Sequence, residues 1–256
     1  MTREDQASTH SVEVKNLSVK FGDFYAVKNV TFAVRPGEIF GFLGANGAGK
    51  TTTIRVLCGL LIPTEGEARV CGIDVRTDSI SVKQQVGYMS QKFTLYDDMT
   101  VAENLAFTAA LRKIEDNKFK ENKEKLLHFI KFQRNEKTMV RDLPGGIKQQ
   151  VSLVASMLHD PQVVFLDEPT AGVSPAFRQR FWQLIGELAS RGKTVFVTTH
   201  YMDEAEQCGR IALMKDGELI ALDSPVNLKK HSFPDKNPKS VSLEDVFIAQ
   251  VEGVPT

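Results

Sequence analysis

The residues best suited to chemistry in this sequence form one glycine-rich segment, Gly44-Ala-Asn-Gly-Ala-Gly-Lys-Thr-Thr52, which has the spacing GxxxxGK[ST]. Glycines let the backbone turn so that successive N–H groups point inward, and the following helix directs its positive dipole end to the same place. The motif predicts that Lys50 reaches the β- and γ-phosphates of a nucleotide, that Thr51 offers its hydroxyl to Mg²⁺, and that Thr52 bonds a neighbouring phosphate oxygen. The other predicted phosphate contacts are Gly44, Asn46, Gly47, Ala48 and Gly49.

A second reactive pair lies far downstream, where the apolar run Val163-Val-Phe-Leu166 ends in Asp167 and Glu168. A strand that ends in two carboxylates, in a chain with a phosphate loop, is typical of the second half of an ATPase site. Asp167 is predicted to hold Mg²⁺ through water, and Glu168 to orient and polarise the water that attacks the γ-phosphate. The alternative interpretation is an exposed acidic turn.

The elements that must position these groups are strands alternating with helices, which predict an α/β fold with a mostly parallel sheet covered on both faces. Ligands of such sheets bind beyond the carboxyl ends of the strands. Gly44, Asp167 and His200 each follow a predicted strand, so we expect the three to meet at one edge. The helix behind the phosphate loop is predicted over 50–61, ended by Pro63.

Three further regions flank this core. Apolar and polar residues alternate from Val12 to Val34 around the turn signal Gly22-Asp23, which predicts an antiparallel β subdomain. Residues of about 95–158 have no strong strand signal and are predicted to form an inserted helical subdomain, opened by the capping box Thr100 to Glu103. Residues 1–10 are predicted to be a disordered tail, and 226–256 a linker followed by a C-terminal helix.

Composition restricts the classes of function. The chain has 256 residues, 42% of them hydrophobic, and a formal net charge of zero, which disfavours bulk nucleic-acid binding. Its cysteines, Cys58, Cys71 and Cys208, have no CxxC spacing, so we expect neither a disulfide framework nor a zinc site. No apolar run is long enough to span a bilayer. We therefore expect a soluble chain whose link to a membrane comes through a partner.

The sequence resembles the ABC ATPases. Between the two halves stands Leu143-Pro-Gly-Gly-Ile-Lys-Gln-Gln150, which is similar to their LSGGQ signature, and the chain also carries the run FLDEPT and a histidine at a strand end. The resemblance covers roughly residues 11–225. It implies a RecA-like phosphate-loop core, with ATP and Mg²⁺ as ligands, and two such domains that pair head to tail.

The resemblance also implies roles for matching positions. Phe21 would stack on adenine, and His200 would contact the γ-phosphate. Gln91 would sense Mg²⁺ and the attacking water. The amides of Gly145 and Gly146 would contact the ATP held by the second subunit. Without the resemblance, a phenylalanine such as Phe21 is more often a core strand residue, and a lone histidine after a strand, such as His200, is more often a packing or surface residue.

Three positions depart from the family pattern. Pro144 replaces the signature serine and has neither a hydroxyl nor an N–H, so one donor to the γ-phosphate is lost. Ser174 replaces an aspartate; serine keeps the helix cap but loses the charge facing the partner. Gln150 replaces a frequent arginine. We hypothesise that the homodimer hydrolyses ATP slowly, or that the chain pairs with a different ATPase subunit.

Three segments are similar to the ATPases of drug, polysaccharide and lipid exporters: 200–206, 216–225 and 242–247. The similarity implies the motor subunit of a bacterial exporter. It would lie on the cytoplasmic face of the inner membrane, with transmembrane permease subunits as partners that receive movement from the helical insertion. The alternatives are a non-transport ABC protein and a weakly hydrolysing regulatory subunit.

Overall fold

The structure is a computed structural model that describes residues 10–91 and 94–252, without the side chains of residues 251 and 252. The predicted tail therefore lies outside the described residues except for His10. The strands are β1 (Val12–Phe21), β2 (Phe24–Val34), β3 (Ile39–Leu43), β4 (Glu65–Val70), β5 (Ile73–Asp74), β6 (Val86–Met89), β7 (Val163–Asp167), β8 (Thr194–Thr199), β9 (Arg210–Lys215) and β10 (Glu218–Asp223). The helices are α1 (Lys50–Leu57), α2 (Ser79–Gln85), α3 (Val101–Leu111), α4 (Asp116–Phe129), α5 (Gly145–Met157), α6 (Pro175–Ser190), α7 (Met202–Ala205), α8 (Pro225–Ser232) and α9 (Leu243–Glu252).

The larger sheet has six strands in the order β10-β9-β3-β8-β7-β6. All neighbours pair in parallel except β10, which forms an antiparallel hairpin with β9. Fully buried residues along β3, β7 and β8 explain why these strands read as continuous apolar runs. The carboxyl ends of β3, β6, β7 and β8 meet at one edge, so the predicted α/β class is confirmed.

The smaller sheet has four antiparallel strands in the order β2-β1-β4-β5. Its Phe32 packs against two rings of β3, with centroids 5.5 Å from Phe40 and 5.3 Å from Phe42. Phe196 of β8 joins the same group, 4.8 Å from Phe42. Aromatic contact of this kind ties the antiparallel subdomain to the strand that leads into the phosphate loop.

Helices α3, α4 and α5 lie in the chain between β6 and β7. The capping box that opens α3 is present: the Thr100 hydroxyl accepts from the Glu103 N–H at 3.2 Å, and the Glu103 carboxylate accepts from the Thr100 N–H at 2.8 Å. The three helices pack on one another. The helical insertion is thus built as the sequence predicts, while the boundaries 95–158 stay a prediction.

The prediction for the end of α1 is wrong. The helix ends at Leu57 instead of Leu61, because Gly59 adopts a left-handed backbone with φ 65° and turns the chain before Pro63. The Leu60 N–H then bonds the Arg55 carbonyl at 2.9 Å, which closes the last turn.

The predicted linker after Pro225 is also wrong at its start, because α8 lies there. Ser224 is its N-cap and accepts from the Asn227 N–H at 3.2 Å, and Pro225 occupies the first helical position. Helix α8 packs on α9, and α9 packs on α7, the short helix just after His200. The C-terminal helices therefore support the segment that carries that histidine.

Candidate functional site

The phosphate loop joins β3 to α1 and is packed closely on two sides. A Cβ at Gly44 would meet the Met214 carbonyl oxygen at 2.3 Å, and one at Gly49, where φ is 101°, would meet the Ala26 carbonyl oxygen at 2.5 Å. Gly47 differs, because a Cβ there meets no described atom within 4 Å, yet its φ is 83°. Two of the predicted glycines are therefore required by space, and one by backbone conformation alone.

Lys50 begins α1 and is almost fully buried. Its Nζ donates to the carbonyl oxygens of Gly44 at 2.7 Å and Ala45 at 3.0 Å. Burial lowers the pKa of Lys50, and the neighbouring charges of Glu168 and Asp167 act in the opposite direction. The N-cap of the helix, Gly49, has no side chain, so the amides of the first turn point toward the loop without competition from a capping oxygen.

Thr51 and Asp167 form an oxygen site beside the loop. The Thr51 Oγ1 donates to Asp167 Oδ1 at 3.1 Å, and Thr198 donates to the same oxygen at 2.6 Å. The other carboxylate oxygen, Oδ2, is buried without a hydrogen-bond partner among the described residues. A hydroxyl and a carboxylate with a free oxygen fit Mg²⁺, which prefers few protein ligands supplemented by phosphate and water oxygens.

No group of three or more His, Cys, Asp or Glu side chains in the described parts of the chain could hold a metal by itself. A divalent ion at Thr51 and Asp167 would therefore depend on oxygens from a bound phosphate.

Glu168 is the centre of the candidate catalytic cluster, which we define as Lys50, Gln91, Asp167, Glu168, Thr198 and His200. Its Oε2 accepts from Gln91 Nε2 at 3.0 Å and lies 3.4 Å from His200 Nδ1, while Oε1 lies 4.0 Å from Lys50 Nζ. Groups from the segments that follow β3, β6 and β8 thus converge on one carboxylate at the end of β7.

The backbone of Glu168 is left-handed, with φ 48°, a conformation that non-glycine residues adopt rarely. The backbone nitrogen of Glu168 lies 2.9 Å from the hydroxyl oxygen of Thr198 and 3.2 Å from the carbonyl oxygen of Thr198, and its N–H donates to both. Thr198 therefore orients both carboxylates, through Oδ1 of Asp167 and the backbone of Glu168. Strained backbone at such a point is common in functional sites.

Phe21 lies apart from this cluster, at the turn between β1 and β2, where it pairs with Phe24 and is 52% exposed. The same hairpin reaches the phosphate loop through Ala26, whose carbonyl approaches Gly49 and Gly217. An exposed ring on a hairpin that contacts the phosphate loop is available for stacking on a base.

Gly145 and Gly146 lie in the first turn of α5, with Pro144 at its N-cap. They are outside the catalytic cluster in the described chain. A Cβ at Gly145 meets no described atom within 4 Å, whereas one at Gly146 would meet the Phe177 ring at 2.6 Å. Gly145 offers open space for a ligand at the helix N-terminus, and Gly146 serves packing as well.

The prediction that Ser174 caps α6 is confirmed in position, because Ser174 is the N-cap residue of that helix. Its side chain, however, makes no capping hydrogen bond within the described residues. Pro175 at the first helical position presets the helical φ, so the helix begins there without a side-chain cap.

Sequence reasoning missed Thr198, which belongs to the cluster, and Glu204, which the structure places next to it. Thr198 precedes the strand-end His200 by two residues, so hydroxyl side chains at the end of a buried strand were the available signal. Glu204 is fully buried one turn after His200 and accepts from Thr199 at 2.6 Å. Nothing in the local sequence distinguishes it from Asp203 and Glu206, its acidic neighbours.

Comparison with known proteins places these features in a wider group. The family model described as "ABC transporter" matches residues 27–171. The chain is 44% identical over 237 residues to the probable multidrug ABC transporter ATP-binding protein YbhF of Escherichia coli (strain K12), covering 93% of this chain and 41% of that protein. It thus spans less than half the length of that relative. It is 36% identical over 219 residues to the Nod factor export ATP-binding protein I of Burkholderia orbicola (strain AU 1054), covering 85% of this chain and 72% of that protein.

Solved structures resemble the whole described fold. An ATP-binding subunit of an ABC transporter superposes with a TM-score of 0.82 at 25% identity, covering 94% of this chain and 99% of that one. The dimeric, post-hydrolysis state of the ATP-binding cassette MJ0796 bound to ADP and Pi superposes with a TM-score of 0.75 at 26% identity, covering 83% and 98%.

Proposed function

Because the chain belongs to the ABC transporter family of ATP-binding proteins, we propose that it hydrolyses ATP to drive export through separate membrane subunits. The observation that carries this proposal is the convergence on Glu168 of Lys50 from the phosphate loop, Gln91 from the end of β6 and His200 from the end of β8. Such a cluster joins phosphate binding to activation of water at one point.

The residues divide the chemistry among themselves. Lys50 and the amides at the start of α1 bind the phosphates and balance their charge. Glu168, held by Gln91 and Thr198, accepts a hydrogen bond from the attacking water and orients it. His200 lies on the same side of Glu168 as Gln91 and contacts the γ-phosphate. Thr51 and Asp167 would hold Mg²⁺, which neutralises charge that develops on the phosphate oxygens.

Pairing of two cassettes completes the proposed cycle. Gly145 and Gly146 present the N-terminus of α5, a site for an anion supplied by a second subunit. The related cassette MJ0796 is dimeric in its complex with ADP and Pi. ATP then favours the closed pair and hydrolysis releases it, because the two states differ in their affinity for the nucleotide.

Transmembrane permease subunits are the proposed partners of the pair. A cavity of about 870 Å³ lies between α2 and the turn after α1 on one side and the connection from α3 to α4 on the other. Ile80 and Leu111, which line it, are 71% and 68% exposed. Its wall includes Tyr88, in the strand that leads to Gln91. Among the described residues, no helix is long and apolar enough to cross a membrane. A cytoplasmic segment of a permease in this groove would place the cassette on the cytoplasmic face of the inner membrane.

Export is the proposed direction, supported by similarity to a multidrug ATP-binding protein and to a Nod factor export protein. The bound substrate would be selected by the membrane subunits. Pro144 favours a second candidate, a cassette that hydrolyses slowly alone and pairs with a different ATPase subunit, since the N-cap of α5 has no side-chain donor.

The test is steady-state ATPase activity with ATP binding measured in parallel. Lys50→Ala should lose nucleotide affinity, whereas Glu168→Gln should keep it and lose turnover by about 100-fold or more. Glu218→Gln, which removes an exposed carboxylate paired with Lys28, is the matched control and should leave both unchanged. Absence of magnesium-dependent ATP binding by the wild type would reject the proposal. If the chain is purified from membranes and no permease subunit accompanies it, the transport part of the proposal is rejected.

A further inference from the structure

Glu204 is a fully buried carboxylate that contacts two loops of the site. Its Oε1 accepts from the hydroxyl of Thr170, two residues after Glu168, and its Oε2 accepts from Thr199 Oγ1 at 2.6 Å, one residue before His200. One carboxylate therefore bridges the segment that follows β7 and the last residue of β8, which leads into His200.

A second chain of contacts runs from Glu204 back to His200. The guanidinium of Arg178 lies 3.3 Å from Glu204 Oε1 and 3.9 Å above the ring of Tyr201. The centre of the Tyr201 ring lies 4.1 Å from that of the His200 ring. The backbone N–H of Tyr201 donates to Thr199 Oγ1 at 3.0 Å. Two partners of Glu204 therefore contact Tyr201, the residue after His200: Thr199 bonds its backbone, and Arg178 stacks on its ring, which in turn contacts the ring of His200.

Burial of the Glu204 carboxylate is unfavourable by itself, and three polar groups surround it: the hydroxyls of Thr170 and Thr199 and the guanidinium of Arg178. A buried carboxylate is tolerated when it is paired and hydrogen-bonded, as this one is by one cation and two hydroxyls. Packing alone would be satisfied by an apolar side chain of similar volume at this point. A carboxylate that accepts from both loops instead fixes the distance between them.

We propose that Glu204 is a positioning residue for ATP hydrolysis, which holds the Glu168 loop and the His200 loop in mutual register through Thr170 and Thr199. The inference rests on the proposed ATPase function. Displacement of either loop by a fraction of an ångström would move Glu168 and His200 relative to each other, whereas Lys50 and α1 stand on a different segment. Loss of Glu204 should therefore affect turnover more than nucleotide affinity.

The test compares kcat and KM for MgATP in the purified full chain. Glu204→Gln keeps the shape of the side chain, and Arg178 retains Asp203 at 3.5 Å, so the variant should fold. We expect kcat to fall about tenfold while KM changes by less than about twofold. Thr170→Val removes the hydroxyl and should lower kcat in the same way. Thr170→Ser keeps the hydroxyl and should have a kcat close to that of the wild type.

Glu38→Gln is the matched control, because Glu38 is also a shielded carboxylate paired with an arginine, with Arg210 Nε at 2.6 Å and Nη2 at 2.9 Å. It lies before β3, at the opposite end of the sheet, and should leave kcat unchanged. Equal kcat losses in Glu204→Gln and Glu38→Gln would overturn the proposal, as would equal kcat in Thr170→Val and Thr170→Ser. If Glu204→Gln fails to fold, the Thr170 pair decides alone. A wild type that hydrolyses no ATP would reject the proposed function and this inference together, whereas an active wild type with unaffected variants rejects only the inference.

Discussion

Gly146 faces the ring of Phe177 so closely that a Cβ at position 146 would lie 2.6 Å from two of the ring atoms. The first turn of α5 and the first turn of α6 therefore meet within one chain. The resemblance assigns Gly146 to a phosphate of the second subunit, and the structure adds a requirement inside the chain. The signature helix and the segment after Glu168 are in direct contact through this pair.

Replacement of Gly146 by alanine should destabilise the fold, because the added methyl group cannot fit without movement of the ring or of α5. We expect the free energy of unfolding to fall by about 1–3 kcal/mol. Gly145→Ala is the control, because a Cβ added at position 145 would meet no described atom within 4 Å. This variant should not destabilise the fold. Chemical denaturation measures both, and the double variant Gly146→Ala, Phe177→Ala should lose less than the sum of its single changes.

Pro144→Ser should raise ATP turnover, since it supplies a hydroxyl and an N–H at the N-cap of α5, where the proposed pairing would bring the ATP of the second subunit. A hydrogen bond to a charged group contributes about 1.5–3 kcal/mol, so an increase of about tenfold is expected. Pro144→Ala restores the N–H without the hydroxyl and separates the two donors. Unchanged turnover of the serine variant in an active enzyme would show that slow hydrolysis, if present, has another origin.

Phe21→Ala should weaken ATP binding if the ring stacks on adenine. Stacking of a base on an aromatic side chain is worth about 1–3 kcal/mol, which predicts a rise in Kd of about 5- to 150-fold. Phe24→Ala removes the other exposed ring of the same hairpin, 65% exposed, and is the matched control. Titration of both variants with a fluorescent ATP analogue measures the difference, and equal losses would reject a specific role for Phe21.

Stability should fall in mild acid because of His159. Its Nε2 bonds the Val86 carbonyl at 2.9 Å, and burial, with the nearby charge of Arg112, lowers the pKa of His159 to about 4 from 6.5. The folded state favours the neutral ring, so this contribution is complete above pH 6.5 and is lost as the pH falls toward 4.

The expected loss across that range is about 2 kcal/mol after allowance for partial exposure of the ring. Free energies of unfolding at pH 6.5 and 4.5 should differ less in His159→Gln than in the wild type. His128→Gln, at an exposed position of α4, is the control and should retain the wild-type difference. An identical pH dependence in His159→Gln and the wild type would contradict the prediction.

The core of the site could be predicted because its parts are coded locally. The phosphate loop is one continuous motif, and Asp167 and Glu168 end a short apolar run of the length that a buried strand has, which the structure shows it to be. Parallel strands bring their carboxyl ends to one edge, so the meeting of these groups with His200 follows from fold class alone. The capping box of α3 is a short-range signal of the same kind, and it is present.

The remaining features depend on tertiary contacts that no local pattern records. Glu204 matters because Thr170 and Arg178 come from other elements, and Thr198 because β7 and β8 are neighbours. The lysines and prolines after residue 225 favour a linker over a helix, so the sequence does not predict α8. The pair Ser224-Pro225 is nevertheless a typical helix start. The absent cap at Ser174 shows the converse, a correct start signal whose side chain does not perform the expected bond.

Strand β3 lies between β8 and β9, and the glycines at both ends of the phosphate loop pack against carbonyls of Met214 and Ala26. During synthesis the motif therefore leaves the ribosome before β8 and β9 have been made, and we infer that the packing around its glycines is complete only once Met214 has been translated. We expect truncations that end before β9 to lack bound ATP even though every residue of the glycine-rich motif is present.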